Sequence, residues 1–310
     1  MTVYIVDFFK RMFNKTNIPS MLYILLNVAI ITIAVFYFVN SSVSGSMKLW
    51  QAALIALGGY IACILVALSP FGEWLLRKIN KCHRVTKDRD PRNLEAIFVE
   101  VYRNARELNS SIPNDVGLYV KEDIEPNAFA LGRKTVCVTT ALMDHSDEEI
   151  KAAMSHEFGH LAHKDTDLIL VISVGNLIIM GIALVIRLLI LFIQLLFLIA
   201  VFLIGLVIGD RGALTTLVAV VSSFLVNVFV NGLIWLWTQV GVLLVMKSHR
   251  ENEYLADEFA FNLGYGEALC RLLDMISIPG KKSFFSCLKS AHPKTEKRIA
   301  RLRELGVKYY

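Results

Sequence analysis

Uncharged apolar runs longer than a soluble helix needs constrain this chain more than any other feature. They are Thr16 to Met47, Leu49 to Gly72, Leu168 to Gly209 broken only by Arg187, and Gly212 to Met246. A helix rising 1.5 Å per residue needs about 20 apolar residues to cross the hydrocarbon core of a bilayer, and each run exceeds that. They account for a composition of 55% hydrophobic and 19% charged residues, against about 45–50% and about 25% in soluble domains. A wholly soluble chain and a disordered one are both excluded. The first run does not read as a cleavable signal, because the polar stretch Ser41 to Ser46 is soon followed by a second span.

The polar residues collect in two blocks, Glu73 to Asp167 and Lys247 to Tyr310, which together have the size of one compact domain. The chain therefore reads as a transmembrane hairpin over 1–72, an extramembrane block over 73–167, a second membrane segment over 168–246 and a second extramembrane block over 247–310. The expected fold is α+β: a mainly helical integral membrane protein whose extramembrane domain carries a small β-sheet.

A net charge of +5, from 32 Lys and Arg against 27 Asp and Glu, does not point to nucleic acid, because the cations flank the membrane runs. Lys10, Arg11 and Lys15 precede the first, and Arg77, Lys78, Lys81, Arg84, Lys87, Arg89 and Arg92 follow the second, while the linker between holds only Lys48. That bias puts the linker outside and the basic flanks in the cytoplasm. Cys63, Cys82, Cys137, Cys270 and Cys287 form no CxxC pair, which suits a reducing compartment. The expectation is a multi-pass protein of the inner or plasma membrane with its polar domain in the cytosol.

Within the first hairpin, Pro19 to Asn40 and Trp50 to Ser69 are the spans, with Tyr23, Tyr37, Trp50 and Trp74 near their ends as interfacial anchors. Leu94, Ile97, Phe98, Val101, Tyr102 and Ala105 recur at helical spacing over Asn93 to Leu108. Strand candidates follow at Gly117 to Val120, Asn127 to Leu131 and Thr135 to Thr139, the last two joined by a turn at Gly132. Ser146 with Glu149 forms a capping box, so a helix starts near Asp147 and runs to about Lys164.

That helix carries His156-Glu157-Phe158-Gly159-His160, in which two histidines four positions apart share one face and can bind a single Zn2+. Glu157 lies on the adjacent flank, where its carboxylate can take a proton from water attacking a carbonyl without being a metal ligand. A catalytic zinc takes three protein ligands and keeps one open position. His163 is seven residues, about 10.5 Å, from His156 along the axis. No glycine lets the helix break there, and His163 reads as a residue of another face. Glu253 is the better third ligand, because Asp257 follows it by one turn and can accept the second N–H of a histidine ligand. Glu251 competes but points to a different face from Asp257.

Taken together, Ser155 to His160 with Asp165, and Glu253-Tyr-Leu-Ala-Asp257 after a membrane hairpin, resemble the HtpX-type membrane zinc metalloproteases, relatives of the CAAX prenyl proteases. The resemblance covers nearly the whole chain. It implies a zincin-like metalloprotease domain, with His156, His160 and Glu253 on zinc and Glu157 as the catalytic base. It also implies damaged or misassembled membrane proteins as clients, and the charge bias puts their cleavage on the cytosolic side. Asn127-Ala128-Phe129-Ala130 resembles the family's cleft-lining strand, and His292-Pro293 with Arg298 its returning C-terminal segment.

Those motifs have physical readings of their own. An edge strand near the metal can bind an extended substrate by strand addition, and the small Ala128 and Ala130 leave room; an ordinary hairpin with Phe129 in the core is the alternative. His292 can donate to the oxyanion, or simply cap a helix over Lys294 to Leu305. Arg298 can meet substrate, or anchor the segment by pairing with a carboxylate.

Because His160 and Glu253 must share one ion, the chain between them crosses the membrane an even number of times, and the resemblance implies two crossings rather than four. No Gly or Pro adjoins Arg187, so Leu168 to Gly209 reads as one long helix. Ser223, Asn227 and Asn231, at i, i+4 and i+8, read as a stripe bonding to a neighbouring helix. A site-2-type intramembrane protease is disfavoured by the charges at Asp147, Glu148, Glu149 and Lys151 before the motif. A prenyl-peptide protease and a catalytically silent scaffold remain as rivals. Substrate identity and oligomeric state have no signature in the sequence.

Overall fold

The structure, a computed structural model, describes residues 13, 15–42, 47–86, 90, 92–208, 212–276 and 294–309. His292 and Pro293, the Asp210-Arg211 link and Ser44 lie outside the described residues. In chain order the helices are α1 (Ile18–Ser42), α2 (Leu49–Ala67), α3 (Pro70–Ile79), α4 (Leu94–Leu108), α5 (Asp147–His163), α6 (Asp165–Ile208), α7 (Gly212–Asn262), α8 (Gly266–Ile276) and α9 (Thr295–Glu304). The strands are β1 (His83–Arg84), β2 (Gly117–Lys121), β3 (Ala128–Leu131) and β4 (Thr135–Thr139). The chain divides into two compact units, one of Met1–Leu22, Gly58–Val174 and Val245–Tyr310, the other of Tyr23–Leu57 and Gly175–Leu244.

In the second unit, side chains such as Phe38, Leu54, Phe192, Phe202 and Phe229 point outward and are exposed, the reverse of a water-soluble bundle. Among the described residues four helical stretches are long and apolar enough to cross a membrane: Ile18–Ser41, Leu49–Ala67, Asp165–Gly205 and Leu217–Gly241. α6 is one helix of 44 residues, unbroken at Arg187. Asn227 Nδ2 donates to Gln194 Oε1 at 3.1 Å, and Gln194 Nε2 to the Ser223 carbonyl at 3.4 Å. Of the expected stripe on α7, the Asn227 side chain and the Ser223 carbonyl thus bond to α6, where hydrocarbon offers no other partner.

In the first unit the sheet order is β1-β2-β4-β3, with β2 and β4 parallel and the β3–β4 hairpin antiparallel. β3 is therefore an edge strand. β1, paired with β2, was not among the expected strands; two residues are too few to show a period. α4 and α5 share the core: Phe98 and Tyr102 pack on Phe158 with ring centroids 5.7 and 5.5 Å apart. The capping box forms as its spacing requires, Ser146 Oγ accepting from the Glu149 N–H at 3.4 Å and Glu149 Oε2 from the Ser146 N–H at 3.1 Å. Helix α5 thereby starts at Asp147, about two and a half turns before the His156-to-His160 motif.

Candidate metal centre

α5 presents His156 and His160, and the C-terminal part of α7 presents Glu253, all three buried. The two helices meet closely at Gly159: a Cβ there would lie 2.8 Å from the Ala256 Cα, so the fourth position of the motif must be small for Glu253 to reach the histidines.

The His156 and His160 Nε2 atoms are 3.2 Å apart, and they lie 3.6 and 3.4 Å from the two Glu253 carboxylate oxygens. Tetrahedral zinc with bonds of about 2.0–2.2 Å holds its ligand atoms roughly 3.3–3.6 Å apart. The donor set therefore fits a zinc-sized ion.

Each imidazole is aimed from behind. His156 Nδ1 lies 2.9 Å from Asp257 Oδ1, and His160 Nδ1 lies 3.3 Å from Asp165 Oδ2. A proton on each Nδ1 satisfies these carboxylates and turns both Nε2 lone pairs toward Glu253. Burial works against a charged His160, yet Asp165 and Glu253 hold its pKa well above the usual imidazole range, so the field here favours a cation. Asp257 is held below the usual carboxylate range despite burial, by Arg298 and His156.

Arg298, on α9, grips Asp257 through Nε to Oδ2 at 2.7 Å and Nη2 to Oδ1 at 2.6 Å, and its Nη1 is 3.1 Å from Glu253 Oε2. The structure gives it the carboxylate pairing that was the alternative to substrate contact, although it also borders the cleft. Glu251 is exposed, and His163 packs edge-on against Phe259, away from the three converging donors.

A cleft of about 660 Å³ opens over these groups, lined by Glu157 and by Asn127 to Ala130. Glu157 Oε2 accepts the Ala130 N–H at 2.8 Å. Since Asn127 bonds inward to Thr139, antiparallel alternation turns the backbone groups of Ala128 and Ala130 toward the cleft. The Ala128 and Ala130 side chains pack against the core while Phe129 lies on the other side of the strand, so the outward groups are backbone.

Three contributors act through contacts that no sequence spacing shows. Asp165 reaches His160 because Lys164 adopts φ 58 and turns the chain between α5 and α6. Glu73, buried on α3, accepts the Arg133 and Lys134 N–H groups at 2.6 and 2.7 Å and so holds the β3–β4 turn. Ala130 steadies Glu157. Asp165 stands in the motif that carries the family resemblance, but only the fold assigns it to His160, and Glu73 had no sequence signal.

Residues 91–306 match the family model of peptidase family M48. The chain belongs to that family. This M48 peptidase is 29% identical over 297 residues to Protease HtpX of Shewanella halifaxensis, covering 86% of this chain and 90% of that one. It is 33% identical over 109 residues to a Protease HtpX homolog of Thermoplasma acidophilum, covering 33% and 32% respectively. The crystal structure of S. mikatae Ste24p superposes with a TM-score of 0.46 at 18% identity, covering 93% of this chain and 66% of that one. The M48 peptidase described here is a metallopeptidase acting on polypeptides, and an integral membrane protein with apolar helices.

Proposed function

We propose that the metal is zinc, held by His156, His160 and Glu253, and that the enzyme is an endopeptidase cleaving misfolded or damaged membrane proteins on the cytosolic side. One observation carries the reading: three buried donors at tetrahedral separation, beside a glutamate that is not one of them. Zinc supplies Lewis acidity to water and to the scissile carbonyl. Glu157, oriented by the Ala130 N–H, takes the proton of the attacking water and returns it to the leaving amine. The outward backbone groups of β3 other than the Ala130 N–H receive the substrate as an added strand, which makes recognition depend little on its side chains, as a broad quality-control protease needs. Asp257 and Asp165 orient the histidines and Arg298 fixes Asp257. His292 stays a candidate oxyanion donor.

The test is Glu157→Gln in detergent-purified protein, with zinc content and casein hydrolysis measured together. Zinc should stay at the wild-type level while hydrolysis falls by about 10²–10⁴-fold or more. Hydrolysis at the wild-type rate would sink the mechanism. A silent scaffold would show none in either protein.

A further inference from the structure

α3 begins three residues after the membrane-crossing stretch of α2 ends, capped by Ser69, and its two faces differ in chemistry. The inner face carries Glu73, clamped on the β3–β4 turn, where Gly132 at φ +55 leaves the space that a Cβ, 2.8 Å from Glu73 Oε1, would fill. The outer face carries Phe71, Trp74, Leu75 and Ile79, exposed by 59, 47, 41 and 67%. Phe71 and Trp74 stack at 5.7 Å, which makes the apolar surface continuous. A contiguous patch like this marks a binding surface. On an amphipathic helix next to a span it suits the boundary between headgroups and acyl chains.

Beside that face lies a cleft of about 630 Å³ bordered by Trp74, Arg77, Lys78, Lys81, His83 and Tyr119. Aromatic rings place two of the cations: Arg77 sits 5.1 Å from the Tyr119 centroid and Lys78 Nζ 5.1 Å from that of Trp74. Arg77 has Glu73 at 3.6 Å, a carboxylate already engaged by two backbone amides. Among the described residues Lys78, Lys81 and His83 form no ion pair. Cations gathered at the edge of an apolar, membrane-adjacent face call for an anion fixed at the same depth as the face.

We propose that this cleft binds the phosphate of an acidic phospholipid headgroup while the outer face of α3 lies among the lipid chains. A lipid occupant is favoured over a soluble anion because only a lipid also covers Phe71, Trp74, Leu75 and Ile79. The site rests on α2 crossing the membrane and is independent of the metal centre.

The experiment is native mass spectrometry of the full chain in neutral detergent, titrated with dioleoyl phosphatidylglycerol, dioleoyl phosphatidylcholine or glycerol 3-phosphate. The wild type should retain phosphatidylglycerol at least tenfold over phosphatidylcholine. Lys78→Gln, Lys81→Asn and His83→Gln together should reduce that preference at least fivefold with unchanged metal content. Asparagine is used at 81 because φ there is +56. An unchanged preference in the folded variant overturns the site, and so does displacement of the lipid by glycerol 3-phosphate. If the variant does not fold, brominated lipids in nanodiscs decide: they should quench the fluorescence lost in Trp74→Phe, and absence of that quenching overturns the proposal.

Discussion

Gly159 and Ala256 bring α5 and α7 into backbone contact, a Cβ on Gly159 falling 2.8 Å from the Ala256 Cα and 3.1 Å from its Cβ. Gly159→Ala must therefore push the helices apart, and Glu253 moves with α7. We predict a cost of about 1–3 kcal/mol from overpacking and a loss of metal occupancy at limiting zinc. The added Ala256→Gly change removes one of the clashing atoms and should restore part of that occupancy. A single Gly159→Ala variant with wild-type zinc affinity would show that the approach is not needed.

The carboxylates behind the histidines set tautomer and aim. Asp257→Asn and Asp165→Asn should each weaken zinc by about 10- to 100-fold without emptying the site at saturating metal. Glu253→Ala and His160→Ala should empty it, and His163→Ala should not. Metal analysis showing an empty His163→Ala and a full Glu253→Ala would reverse the ligand assignment.

Arg298 neutralises two buried carboxylates, Asp257 and Glu253, so Arg298→Met leaves uncompensated charge in the core. Breaking a buried pair in this way costs about 3–5 kcal/mol. The loss should be larger after chelation, when Glu253 has neither cation, than in the zinc-loaded protein. Melting curves with and without chelator check this, and equal shifts in both would contradict it.

The sequence made the centre legible where function coincides with a local period. Two histidines one turn apart, a cap three residues before a first-turn glutamate, and an acidic pair at i and i+4 all follow from helix geometry. Lys164 in the left-handed region, the Glu73 clamp on a turn 60 residues away and the Arg298 bond to Asp257 across 41 residues have no periodic signature. They depend on which elements become neighbours. β1 was missed for a related reason, since its two residues become a strand only through pairing with β2.

Glu149 provides a pH signature away from the metal. Burial opposes its ionisation, but the bonds to Ser146 and the nearby His145 hold its pKa below the usual carboxylate range. A depressed folded pKa adds stability that is full above the unfolded value of about 4.3 and is lost as pH falls through the folded value. Glu149→Gln should therefore melt below the wild type at pH 7, and the gap should close as pH falls below about 4. Ser146→Ala should cost about 1 kcal/mol. A gap that persists in acid would mean the cap works without its charge.

Topology is constrained by two independent demands. Charge bias would put the flanks of the first hairpin in the cytoplasm, and a shared ion requires the His156 and Glu253 segments on one side of the membrane. Cysteine labelling should then find Ser44 outside and Lys87, Ser146 and Tyr310 inside. The Asp210-Arg211 link separates two crossings from four. A hairpin within 168–209 would need a turn near Arg187, and α6 runs through that position as helix to Ile208. At 1.5 Å per residue, 44 residues extend about 66 Å, enough to cross a core of about 30 Å and project beyond it. Asp210 and Arg211 should accordingly label from outside, and labelling from inside would require a break in α6. Tyr310 labelling from outside while Ser146 labels from inside would place Glu253 across the bilayer from the histidines and end the metallopeptidase reading of this site.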